Sequence, residues 1–166
     1  MSLLDALTQA LQPWATLYSD STPVHSVVLF THLAGVLLGG GLAIAADRST
    51  LRVLRSAEAV RHHHLVELHG VHRPVLIGLA LALASGTLML AADLKTFAES
   101  PLFWIKMGVI VALLANGYQL QCTERRLRAA LGHGGRDWTV LRRSAVLSLA
   151  LWFVALLLGA LLPSVA

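Results

Sequence analysis

The chain has 166 residues, of which 56% are hydrophobic and 13% charged, with a mean hydropathy of +0.69. This composition excludes an ordinary soluble domain, and a single cysteine, Cys122, excludes an intrachain disulfide. A net charge of +4 and a pI near 10 raise nucleic acid as a partner, but the cations are placed to report membrane orientation instead.

The chain opens with Leu3, Leu4, Leu7, Leu11 and Trp14 at helical spacing and polar residues elsewhere around the turn, which predicts a short amphipathic helix over Ser2 to Tyr18 lying on the membrane surface. Pro13 and the Ser19 to Pro23 cluster are expected to end it. No basic stretch precedes the first apolar residues, so no cleavable signal peptide is expected and the first span directs insertion itself.

Four segments have the length to cross a hydrocarbon core of roughly 30 Å: residues 24–46, 71–94, 101–121 and 144–162. The fold expected is all-α, one integral membrane four-helix bundle over residues 1–166. Eleven of the 13 Lys and Arg residues lie in or beside two connections: Arg48, Arg52, Arg55, Arg61 and Arg73 in the first, and Arg125, Arg126, Arg128, Arg136, Arg142 and Arg143 in the third. Cationic loops stay in the cytoplasm, which predicts an N-out/C-out topology with anionic lipid of the bilayer as the contact of those arginines. Cys122, at the cytoplasmic end of the third span, is then kept reduced.

The first span carries two histidines, His25 and His32, seven residues apart and so on one helical stripe that Gly39 continues, with Gly35 and Gly40 beside it. Ionisable groups within a span face the bundle interior, where they meet a partner, a metal or a cofactor. The following segment is read as a cytoplasmic helical extension, with Gly70 and Pro74 permitting a kink where it enters the membrane. It holds His62, His63, His64, His69 and His72 with Glu67 nearby, ligand types suited to a divalent metal or to a solvated polar face. In the second span Gly78, Ala82, Ser85 and Gly86 form a small-residue strip, the usual sign of close helix packing, which also admits a flat macrocycle. The third span opens on Phe103 and Trp104, suited to an interfacial belt, and carries Lys106, which either snorkels outward or has a functional role. Asn116, Tyr118 and Gln119 are positioned for hydrogen bonds between helices. The fourth span has no ionisable residue and reads as scaffold.

Counting about 1.5 Å per residue from the span ends matches side chains by depth. His25 falls near the outer surface and His32 about 12 Å in, while Met89 is about 5 Å in and Lys106 and Met107 about 8 to 9 Å in; these five form an outer cluster of cofactor-binding candidates. His69, His72 and Cys122, with Tyr118 and Gln119, form an inner one. A haem bridging His32 and His72 is about 14 Å out of register. The outer cluster is open to three uses: His25 and His32 with Met89 or Met107 as ligands for haem or Cu(I), His32 with Lys106 on haem iron or an anionic group, or His32 hydrogen-bonded to Ser85, Thr87 or a backbone carbonyl.

The string HLAGVLLGGGLAIAADRSTLR from His32, followed by SPLFWIKMGVIVALLANG from Ser100, resembles a family of small bacterial four-helix membrane proteins, the DUF6644 type, over roughly the first three spans. The plan is more distantly similar to CopD-like copper-resistance domains and to the four-helix membrane protoporphyrinogen oxidase, which have a histidine in the first span and a lysine at the start of the third. The resemblance implies that His32 and Lys106 carry the site. It implies haem b and porphyrinogen oxidation for the oxidase type, and metal passage for the copper type.

Two functions follow, with a third compatible. The first is a haem b protein of the bacterial cytoplasmic membrane, acting in electron transfer or porphyrin oxidation. The second is a copper-handling protein in which His25, Met89 and His32 pass the ion toward His62, His63, His64, His69, His72 and Cys122. The third is a non-catalytic accessory subunit, as a homodimer or within a larger membrane complex.

Overall fold

The computed structural model describes the backbone of residues 3–55, 58–130 and 135–165, and the side chains of these except 58–64, 66, 67, 69 and 163–165. Within them the chain is helical: α1 (Leu3–Asp20), α2 (Thr22–Val53), α3 (Glu58–Ala92), α4 (Leu94–Glu99), α5 (Pro101–Ala129) and α6 (Gly135–Val165). Starts follow local chemistry. Ser21 and Ser100 stand in extended conformation before α2 and α5, and a proline sits at the first or second helical position of each, where its missing N–H costs nothing.

Four of these helices, α2, α3 from Gly70, α5 and α6 to Leu162, are long and apolar enough to cross a membrane, and the chain is a multi-pass membrane protein. Their surfaces support this. Large apolar side chains such as Phe30, Leu37, Val111 and Phe153 stand exposed, while the buried positions of α2 include Gly35, Gly39, Gly40, Asp47 and Thr50. Small and polar residues inside with apolar residues outside is the arrangement expected where lipid, not water, is the solvent.

The helices outrun the apolar segments. At 32 residues α2 is about 48 Å long, α5 continues to Ala129 instead of stopping near residue 121, and α6 begins at Gly135 rather than 144. The reason is that arginine, leucine and glutamate are good helix formers, and the extensions have a core of their own. Leu65, Leu68, Leu120, Leu127, Trp138 and Leu141 close together at that end, with Leu54 against them. The arginine-bearing ends of α2 and α5 lie there.

Packing is pairwise. α2 lies along α3 through backbone contact: a Cβ placed on Gly35 would come 2.6 Å from the Ala82 nitrogen and 2.7 Å from the Gly78 oxygen. α5 lies along α6, and α2 also touches α6, where a Cβ on Gly40 would stand 2.9 Å from the Trp152 ring. Of the neighbouring pairs among the four spanning helices, α3 and α5 meet least, so that side of the bundle is the open one. The second-span strip that admits a macrocycle is therefore taken up by α2, Gly78 by the backbone at Gly35 and Gly39 and Gly86 by the His32 ring.

One local expectation is corrected: Pro13 does not end the first helix, which runs unbroken to Asp20. The connection before α5 forms the six-residue α4. α1 is docked: Trp14 donates its indole N–H to the Leu88 carbonyl of α3 at 2.8 Å. Trp14→Phe, which keeps a ring and removes the donor, is expected to cost about 0.5–1.5 kcal/mol. Faster amide exchange in α1, with α2 unchanged, is the measurement that checks it.

Candidate functional site

Four of the five outer candidates converge. His32 from α2, Met89 from α3 and Lys106 and Met107 from α5 line one cavity of about 140 Å³, walled also by Phe97 and Phe103. His25 does not join them. Its ring is exposed and packs 4.7 Å from that of Tyr18, because two turns above His32 the neighbour of the stripe is α1.

His32 is held by α3. Its Nδ1 lies 2.9 Å from the Ala82 carbonyl oxygen and 3.2 Å from Ser85 Oγ. A carbonyl only accepts, so Nδ1 carries the hydrogen, and the neutral ring keeps its lone pair on Nε2. The buried Ser85 hydroxyl donates to the Leu81 carbonyl at 2.6 Å, leaving its oxygen free to accept from His32. Gly86 gives the ring its place on the helix, since a Cβ there would stand 3.3 Å from Cε1. The structural use foreseen for His32, a bond across to Ser85 or a carbonyl, is thus present, and it leaves Nε2 uncommitted. Lys106 is half-buried, its Nζ 3.6 Å from where a Gly159 Cβ would stand on α6.

The inner candidates separate. His72 is bonded through Nε2 to Glu124 Oε2 at 2.7 Å. Cys122, two residues from Glu124 and so about 200° around α5, lines a different groove with Gln119, Arg126 and Asp137 on the α6 side. The side chains of His62, His63, His64 and His69 lie outside the described residues. Among the described residues no group of three His, Cys, Asp or Glu side chains is arranged to hold a metal ion. Asn116 reaches α6, donating to the Ser144 carbonyl at 2.9 Å, whereas Tyr118 is 73% exposed toward lipid.

Two residues that sequence reasoning passed over dominate the inner end. Asp47 and Glu124 are 5% and 0% exposed, with His72 and Ser148 beside them on a cavity of about 290 Å³. The signal for Glu124 was its place among Leu113, Asn116, Leu120 and Leu127, the buried stripe of α5. The signal for Asp47 was its position seven residues after Gly40. No family profile, no curated protein and no solved structure matches this chain.

Proposed function

We propose that the chain is a redox protein of the bacterial cytoplasmic membrane that holds haem b with His32 as an axial ligand, its arginine-rich connections in the cytoplasm and both termini outside. The orientation rests on eleven of 13 cations lying at one end of the bundle. The observation that carries the haem reading is the hydrogen bond from His32 Nδ1 to the Ala82 carbonyl, which orients the imidazole and leaves Nε2 to ligate, as outer partners of metal-bound histidines do.

The donors sharing the cavity suit the group. A thioether from Met89 or Met107 is an acceptable second axial ligand, and the Lys106 amine suits either iron or a propionate. The size of the cavity sets a condition: about 140 Å³ is below the roughly 300–1,000 Å³ of ordinary ligand sites, so the macrocycle requires widening along the open α3 and α5 side. Haem b supplies one-electron chemistry at iron, in electron transfer or porphyrin oxidation. The protein supplies an oriented imidazole and an apolar wall.

Protein purified in mild detergent is expected to show a Soret band that shifts on reduction. His32→Ala should abolish it, while His25→Ala should leave it unchanged. A colourless protein that gives no Soret shift when titrated with haemin, or one carrying stoichiometric copper instead, overturns the proposal.

A further inference from the structure

We propose that the inner end of the bundle is a second binding site, distinct from the His32 cavity, in which a protonated amine on an apolar body is held between the carboxyl groups of Asp47 and Glu124. Each carboxyl group is already half-engaged. Ser148 hydrogen-bonds to Asp47, and His72 Nε2 holds Glu124 Oε2 at 2.7 Å. The other oxygens, Asp47 Oδ2 and Glu124 Oε1, are buried and have no hydrogen-bond partner. Both residues line the cavity of about 290 Å³. A buried acceptor left unpaired is costly, and two of them on one cavity mark a place where something donates.

The guest follows from what the cavity lacks. It has acceptors to satisfy and two acidic groups that can balance a positive charge, so a ligand that is both a donor and a cation suits it. An ammonium group offers three N–H donors and no acceptor, which matches two orphaned carboxylate oxygens. The remaining walls are apolar, among them Leu79, Leu113 and Trp152, so the amine is carried on a hydrocarbon or aromatic body. A bare divalent ion fits less well, because no three His, Cys, Asp or Glu side chains among the described residues come together to ligate one. Leu76, Leu114 and Tyr118 line the same cavity and are exposed on the lipid side, giving an amphipathic amine a lateral way in.

Isothermal titration of the full-length protein in mild detergent with 2-phenylethylamine, and with 2-phenylethanol as its uncharged counterpart, tests this. Saturable binding of the amine is expected, with the alcohol about tenfold weaker or worse. Asp47→Asn and Glu124→Gln should each weaken the amine by about tenfold or more, while His25→Ala leaves it unchanged. Should either carboxamide variant fail to fold, the amine and alcohol comparison on the unaltered protein decides alone. Equal binding of amine and alcohol overturns the proposal, as do carboxamide variants that bind the amine like the parent. Saturable Zn²⁺ binding without amine binding overturns it too.

Discussion

Gly78→Leu is expected to separate α2 from α3 and leave no stably folded protein, and Gly78→Ala to lower the stability by about 1–3 kcal/mol. A Cβ on Gly78 would stand 2.8 Å from the Gly35 oxygen and 2.8 Å from the Gly39 Cα. Both obstacles are backbone, so no side-chain rotation relieves them and the helices themselves must move apart. The control is Gly108→Ala, where nothing lies within 4 Å of the added carbon. There the methyl group removes the helix penalty of glycine and should raise stability by about 0.5–1 kcal/mol. Thermal unfolding of the two variants in the same detergent decides. If Gly78→Ala is as stable as Gly108→Ala, the backbone contact between α2 and α3 is not what holds the pair. The contact also reaches the outer cavity. Ala82 and Ser85, which hold His32, lie one and two turns beyond Gly78, so a displaced α3 loosens the imidazole as well.

The membrane helices were legible because apolarity over about 20 residues is a sufficient signal for a span. Depth was partly legible: counting rise per residue put His32, Met89, Lys106 and Met107 within about 7 Å of one another in depth, and they share a cavity. What depth does not give is azimuth. His72 and Cys122 match in height, yet Cys122 opens on the opposite side of α5 from Glu124, so the two never meet. His25 shows the complementary failure. Its stripe is that of His32, but a stripe says which way a residue faces and not which helix stands opposite, and at that height it is α1. The glycines were read both as packing and as room, and only the contact of α2 with α3 and the Trp152 ring against Gly40 separates those uses. Asp47 and Glu124 were hidden by their surroundings, each being followed by arginine in the sequence and so resembling the edge of a charged loop. The continuation of α2 and α5 beyond the apolar segments turns those edges into interior positions.

His72→Ala should destabilise the bundle by about 2 kcal/mol, within the roughly 1–3 kcal/mol that follows when a buried acceptor loses its hydrogen-bond partner. Glu124 has no exposed surface, and its Oε1 already lacks a partner; without His72 its Oε2 loses the 2.7 Å bond as well. The cost stays within that range because the His72 side chain keeps 24% of its surface open, which lets water enter the space it vacates. Glu124→Met should cost less than His72→Ala, since it removes the buried carboxyl group itself and leaves a ring with access to solvent. The double variant should be no less stable than His72→Ala alone, a coupling of more than about 1 kcal/mol between the two positions. Unfolding of the three variants in one detergent measures that coupling directly. Simple additivity would mean that Glu124 finds other support once His72 is gone. In the expected case the inner end of the bundle rests on a buried carboxyl group held by a hydrogen bond to a histidine from α3.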